Sequence, residues 1–384
     1  MDAERIRLEV LAKARRVVVK VGSQLVTARG EGGGLRIDRG FVDGLCAELA
    51  GLMGDGYEVT LVCSGAIAAG CAELGLADRP TDLPRLQAVA AVGQRRLMTH
   101  LHEAMGTHDR RVGQVLLTRG DFDDRARFLN VRNCLNELAA MGVLAVANEN
   151  DAVAVDEIRY GDNDLLAAHV AHALRADALV LLTGVDGLLD GDSKVVSTVT
   201  GNAGEQHLGQ GESDGRSAWG SGGMATKLEA GRLIADAGEV AVIANGRTPG
   251  ILRAVLTGEP IGTVFVPADR KLDSRRRWTG LTRRTRGTVV VNAGAAAALR
   301  DQGKSLLAVG VTSVDGAFAT GDVVAIVNEA GGEIGRGVSA YDAATLRRVM
   351  GMRSEAIAEA LGEPAPGPVV HRDDLAVRRP DATI

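Results

Sequence analysis

Residues 17–23 read Val17-Val18-Val19-Lys20-Val21-Gly22-Ser23. Four β-branched apolar residues and one lysine run, without alternating polarity, into a glycine. Such a run suits a strand buried on both faces, as in the middle of a parallel sheet. Similar runs recur at 58–63, 112–117, 143–147, 178–182, 239–244 and 262–266. Longer stretches of helical spacing lie between them, at 37–53, 83–105, 128–141, 164–174 and 226–237. The alternation predicts an α/β fold with an open, mainly parallel sheet sandwiched by helices. Ligands of such sheets gather beyond the carboxyl ends of the strands, so the residues just after each strand are the candidates.

The pattern breaks at 270–286, which holds Arg270, Lys271, Arg275, Arg276, Arg277, Arg283, Arg284 and Arg286. This segment reads as a linker or an interface. Beyond it the chain is Gly-rich, with short strands expected at 288–291, 306–311, 322–327 and 333–338. That suggests a small β-barrel-like domain. The expected limits are 14–268 for the α/β domain, 269–286 for the linker, 287–364 for the small domain and 365–384 for a tail.

Composition excludes several classes of function. The 384 residues carry a net charge of −5, which argues against nucleic acid or an anionic membrane as a partner of the whole chain. Aromatics make up 3%, leaving few rings to stack on bases. Apolar runs are too short to cross a bilayer, and MDAERIRLEV at the N-terminus is charged where a secretion signal is apolar. Cys46, Cys63, Cys71 and Cys134 form no CxxC pair, which fits reduced thiols in the cytoplasm. His169 and His172 share a helix face without a third ligand, so they read as packing rather than as a metal site.

Candidate chemistry sits at the predicted strand ends. After the first strand, Gly22 and Ser23 offer turn N–H groups to a phosphate, with Lys20 beside them. After the second comes Ser64, placed either to cap the next helix or to help its N-terminus receive an anion. The strand at 143–147 runs into Asn148-Glu149-Asn150-Asp151, and Gly161-Asp162-Asn163-Asp164 follows. Two acidic-amide clusters at one sheet edge suit an amino acid, with carboxylates for its ammonium and amides for its carboxylate. Thr183-Gly184 ends a further strand. Ser221-Gly222-Gly223-Met224-Ala225-Thr226-Lys227 places glycines before a helix and a lysine one turn in, a clamp for nucleotide phosphate. Only six of the 44 basic residues are lysines, and two of those, Lys20 and Lys227, fall on the proposed phosphate loops.

The blocks 17–23, 62–70, 113–129, 148–153, 161–164 and 222–227 resemble those of the glutamate 5-kinase family, in the amino acid kinase superfamily. The stretch with Arg336-Gly337-Val338-Ser339 and 343–349 resembles a PUA domain. This resemblance, running from about residue 16 to 374, implies roles by position. Lys20 and Lys227 would stabilise the transferring phosphoryl group, and Asp164 would orient them. Ser64, Asp151, Asp162 and Asn163 would bind L-glutamate. Lys20, Gly22, Ser23, Thr183, Gly184 and the residues from Ser221 through Lys227 would hold ATP. Mg²⁺ would come on the ATP phosphates with few protein ligands. Proline as a feedback inhibitor, a homodimer or tetramer, and a glutamyl phosphate reductase as partner are implied in the same way. Two positions depart from the family pattern: Gly184 stands where an Asp is common, and Gln24 where a small residue is usual. Asp186 is the nearby carboxylate that would replace the missing Asp.

Two rival readings remain at this point. One is a different amino acid kinase, acting on acetylglutamate or aspartate, against which the PUA-like region and the block 148–153 speak. The other is an RNA-binding or RNA-modifying protein working through its PUA-like domain. The Arg-rich segment favours that reading and the overall acidity opposes it.

Overall fold

The computed structural model describes residues 7, 10–29, 34–154, 163–199, 223–266, 285–361 and 367–377. The chain divides into two compact units, Met1–Phe122 with Ala126–Lys271, and Leu272–Ile384 with Asp123–Arg125.

Strands of the first unit are β1 (Arg16–Val21), β2 (Thr27–Arg29), β3 (Leu35–Ile37), β4 (Glu58–Cys63), β5 (Arg111–Leu117), β6 (Val143–Glu149), β7 (Ala178–Thr183), β8 (Thr198–Val199), β9 (Val240–Asn245) and β10 (Thr263–Phe265). Eight of them form one sheet in the order β5-β6-β4-β1-β7-β9-β10-β8. The sheet is parallel from β5 to β9, and β10 runs antiparallel to β9. The mainly parallel architecture expected from the sequence is therefore present.

β1 lies in the middle, between β4 and β7, with Val17, Val18, Val19 and Val21 fully buried. Burial on both faces explains why its sequence shows no alternation. Val21 pairs with Cys63 on one side and Leu182 on the other. That register brings Gly22, Ser64 and Thr183 to one edge, the carboxyl edge.

The helices are α1 (Ser23–Val26), α2 (Arg39–Gly54), α3 (Ala66–Glu73), α4 (Leu83–Gly106), α5 (Gly120–Asp123), α6 (Arg125–Ala140), α7 (Asn163–Leu174), α8 (Met224–Asp236) and α9 (Ile251–Leu256). α3 and α4 meet backbone to backbone. A Cβ on Gly93 would stand 1.8 Å from the Ala66 carbonyl oxygen, and one on Gly70 would stand 1.9 Å from that of Val89. Only glycine permits such an approach. Since α3 starts just after Ser64-Gly65, this crossing fixes the height of the loop after β4.

The second unit carries β11 (Gly287–Val291), β12 (Val311–Gly316), β13 (Val323–Asn328), β14 (Glu333–Val338) and β15 (Leu375–Val377), in the order β12-β11-β13-β14-β15. With α10 (Ala293–Gln302) and α11 (Ala343–Val349) they enclose their own core, which includes Val289, Ile326, Ile334, Leu346 and Val370.

Three details differ from the sequence expectation. The expected strand at 306–311 is not formed: Leu306 makes one isolated bridge to Val370, Ala308–Gly310 is a 3₁₀ turn, and the strand is Val311–Gly316. β12 is an edge strand, and its exposed residues tolerate Thr, Ser and Asp, so apolar content underreports it. β6 runs two residues further than its apolar run, through Asn148 and Glu149. The two-residue β8 is too short to show a period in the sequence.

Gly93→Ala should destabilise the first unit by about 3 kcal/mol, the upper range for overpacking a tight contact. Urea unfolding checks this, and a variant as stable as the parent would refute the reading.

Candidate active site

Three charged side chains from three elements converge at the carboxyl edge. Asp164, the second residue of α7, is 1% exposed. Its Oδ1 lies 2.5 Å from Nζ of Lys20 on β1, and its Oδ2 lies 3.1 Å from Nζ of Lys227 on α8. Lys20 and Lys227 are buried too. The Thr226 hydroxyl lies 2.9 Å both from Asp164 Oδ2 and from the Gly223 carbonyl oxygen. That carbonyl also accepts a hydrogen bond from Lys227 Nζ at 3.4 Å. Burial pushes the Asp164 carboxyl up, but the ammonium groups of Lys20 and Lys227, with hydrogen bonds from Lys20 and Thr226, bring it down to about 2. Two lysines 207 positions apart in sequence thus share one carboxylate.

The glycine at position 22 matters for the same reason. A Cβ there would stand 3.6 Å from Lys20 Nζ, so its backbone passes beside the ammonium. Ser23 opens α1, and Gly223 is the extended N-cap of the 13-residue helix α8, with Met224 and Ala225 in its first turn. The N–H groups of that turn have no partner within the helix, and this is the end of a helix where an anion is favoured.

Next to the lysines lies a polar group. The Asn163 amide Nδ2 donates to Ser64 Oγ at 2.7 Å, to Asn148 Oδ1 at 3.2 Å and to the Cys63 carbonyl at 3.3 Å. Asn148 in turn donates to Gln94 Oε1 at 2.7 Å. Ser64 therefore does not cap α3: Gly65 is the N-cap, in the left-handed region at φ 110°, and no side chain caps that helix. Asp151 lines a cleft of about 640 Å³ together with Gln94, Glu149 and Asn150. Burial raises its carboxyl to about 6, although Arg79 opposes the shift.

The structure thus brings Lys20, Lys227, Asp164 and Thr226 together, and sets Ser64 and Asn163 beside them. Thr183 ends β7, and its carbonyl accepts from Gly246 N–H at 2.9 Å. Gly184 is exposed, and its Cβ, were there one, would lie 3.9 Å from Gln24 Oε1. The two positions that depart from the family pattern are hence neighbours. Asp186 accepts from Asn245 Nδ2 at 2.8 Å, across the ends of β7 and β9. Asp162, Ser221 and Gly222 lie outside the described residues, as does most of the Arg-rich segment. His169 stacks on Phe122, with ring centroids 5.3 Å apart.

Asn148 belongs to the acidic-amide cluster seen in the sequence, whereas Gln94 was not singled out there. A signal for Gln94 existed. It falls on the buried stripe of α4 with Leu86, Ala90, Gly93, Leu97 and Leu101, and a carboxamide in an apolar stripe needs a partner.

Comparison with known proteins adds to this geometry. Residues 15–245 match the model of the amino acid kinase family, and residues 287–361 match that of the PUA domain. A glutamate 5-kinase of Geobacter sp. (strain M21) is 42% identical over 97% of this chain and 100% of its own length. One of Chromohalobacter salexigens is 44% identical over 96% of this chain and 97% of its own. Among solved structures, UMP kinase from Bacillus anthracis superposes with a TM-score of 0.44 at 16% identity, covering 67% of this chain and 98% of that one.

The depressed carboxyl of Asp164 has a consequence for stability. Its unfolded value is near 3.8 and its folded value about 2, so its contribution is present above pH 4 and is lost as pH falls toward 2. The loss should be about 2 kcal/mol. Asp164→Asn should flatten this part of the acid limb and weaken the fold at pH 7, where two buried ammonium groups would face a neutral amide. Urea titrations at pH 2 to 7 measure both effects. An unchanged acid limb would contradict the assignment.

Proposed function

The chain belongs to the amino acid kinase family and, within it, to the glutamate 5-kinases, and from that premise we propose how its residues carry the reaction. The protein transfers the γ-phosphoryl group of ATP to the γ-carboxylate of L-glutamate, giving L-glutamyl 5-phosphate, the first step of proline biosynthesis. One observation carries the residue assignment: Lys20 and Lys227 converge on Asp164 beside the Ser64–Asn163 pair.

The acceptor carboxylate is ionised at neutral pH, so no general base is required. One of its oxygens attacks the γ-phosphorus, the bond from that phosphorus to the bridging oxygen breaks, and ADP leaves with the electron pair. The protein's task is to align two anions and to neutralise the charge that spreads over the phosphoryl oxygens. Lys20 and Lys227 supply that charge, and Asp164 holds both ammonium groups in place. The backbone at Gly22, Ser23 and Gly223 through Thr226 cradles phosphate, and Thr183 and Gly184 border the nucleotide. Ser64, Asn163 and Asp151 bind the amino acid, and Asp162, Ser221 and Gly222 keep the roles that the family pattern gives them.

A kinase of this family takes its nucleotide with a divalent ion, and we assign Mg²⁺. Asp164, the carboxylate nearest the lysines, is already engaged by both of them, which fits an ion held through ATP phosphates rather than by a cage of side chains. When bound, the ion adds positive charge between the phosphates.

The relatives named glutamate 5-kinase favour this reading over acetylglutamate, aspartate or RNA as the target. Among the described residues no helix is long and apolar enough to cross a membrane. We further assign the protein to the cytoplasm, as a homodimer or tetramer inhibited by proline, with glutamyl phosphate reductase as the consumer of its product. The assigned domain limits are 14–268 and 287–364.

ATP, Mg²⁺ and L-glutamate with hydroxylamine should yield a hydroxamate, and acetylglutamate should not. Lys20→Ala and Lys227→Ala should each lower kcat by about a hundredfold or more. A variant with near-normal turnover would refute that lysine's role. Asp151 must be ionised to meet an ammonium group, so the KM for glutamate should rise as pH falls through about 6. Steady-state kinetics from pH 5 to 8 should show that inflection in the parent protein and not in Asp151→Asn.

A further inference from the structure

We infer that Gln94 is a positioning residue that holds Asn148, and through it Asn163, in the orientation the backbone selects, so that Asn163 receives the α-ammonium group of glutamate on its carbonyl oxygen. This deepens the proposed function and rests on it.

Three carboxamides form a chain, and backbone groups orient the two asparagines in it. The backbone N–H of Glu149 donates to Asn148 at 2.9 Å, so the atom that receives it is the oxygen, Oδ1. The nitrogen of Asn148 must then point the other way, and it donates to Gln94 Oε1 at 2.7 Å. At the far end, the Cys63 carbonyl stands 3.3 Å from Asn163, so the atom facing it is Nδ2. That nitrogen also meets Asn148 Oδ1 and the Ser64 hydroxyl. Two backbone groups thus allow one orientation of the asparagine pair, and Gln94 Oε1 accepts the Asn148 nitrogen that this orientation turns toward it. Reversing either asparagine would set oxygen against oxygen or nitrogen against N–H.

The consequence falls on the unused atom. Asn163 Oδ1 is buried and has no hydrogen-bond partner among the described residues. A buried acceptor left unmade is costly, and a donor that enters the site relieves the cost. On a glutamate substrate whose γ-carboxylate points to the lysines, the donor is the α-ammonium group. An amide nitrogen would serve a carboxylate, but here the nitrogen is spent on Ser64, Asn148 and Cys63. The general rule that amides serve the carboxylate of an amino acid is therefore reversed at this residue. Gln94 touches no reacting atom in this scheme. It acts through Asn148, and its own carboxamide is 8% exposed and held in the apolar stripe of α4.

The test compares two acceptors with the full-length enzyme and ATP–Mg²⁺, trapping product with hydroxylamine. L-glutamate carries the ammonium group, and glutarate is the same diacid without it. Gln94→Met keeps the size but removes the acceptor for Asn148. It should raise the KM for glutamate about tenfold, the scale of one lost hydrogen bond, with kcat and the KM for ATP little changed. Turnover of glutarate should not move, so the preference for glutamate shrinks by that factor. Gln94→Glu retains an oxygen toward Asn148 and should restore the preference. Should Gln94→Met fail to fold, Gln94→Asn, one methylene too short to reach Asn148, gives the same reading. Equal losses on both acceptors, or none on either, would overturn the assignment. A parent enzyme that does not phosphorylate glutamate would instead refute the function itself.

Discussion

Everything at the carboxyl edge depends on a carboxylate shared by two buried ammonium groups. Asp164 receives Lys20 from one side and Lys227 from the other, and the set carries one net positive charge in a place nearly closed to water. Buried charges of this kind are seldom retained for stability, since desolvation consumes most of the gain. Their use is preorganisation. In the proposed function the surplus positive charge is held where the phosphoryl group would gather negative charge, and it need not reorganise when the reaction occurs. Asp164 remains ionised because the charges it organises also stabilise its own ionised form.

The rest of the first unit can be understood as the means of delivering those groups. A central strand buried on both faces brings Lys20 to the edge. α7 begins with Asn163 and Asp164, so a single helix N-terminus supplies both the amide proposed to meet the substrate and the shared carboxylate. α8 begins at Gly223 and turns once before Lys227. The glycine crossing of α3 and α4 sets the height of the loop that carries Ser64, and the same α4 supplies Gln94. One set of packing contacts thereby positions both halves of the site.

The parallel sheet was legible from unbroken apolar runs, because a strand covered on both faces has no polar side to show. The loops proposed to hold phosphate showed as glycines before helices, and the two lysines stood out in a chain that otherwise uses arginine. Boundaries were less legible where exposure masked them. The edge strand β12 looked like a loop, and the apolar residues before it looked like a strand. Ser64 was read equally as a cap and as part of an anion site. Only the fold shows that its hydroxyl accepts from Asn163 and that Gly65, not Ser64, is the N-cap.

The amino-acid sequence alone determined the architecture and the chemical inventory. Periodicity and glycine placement act over a few residues, and the carboxyl ends of parallel strands follow from them. What the tertiary structure decided is pairing across distance. That Lys20 and Lys227 share a carboxylate, that Gln24 lies beside Gly184, and that Gln94, Asn148 and Asn163 join in one hydrogen-bonded chain all depend on groups from separate elements meeting within 2.5 to 3.9 Å. Local sequence fixes which groups are available. Directional bonds between remote groups fix which atom of each is left for the substrate, and those bonds exist only once the chain is folded.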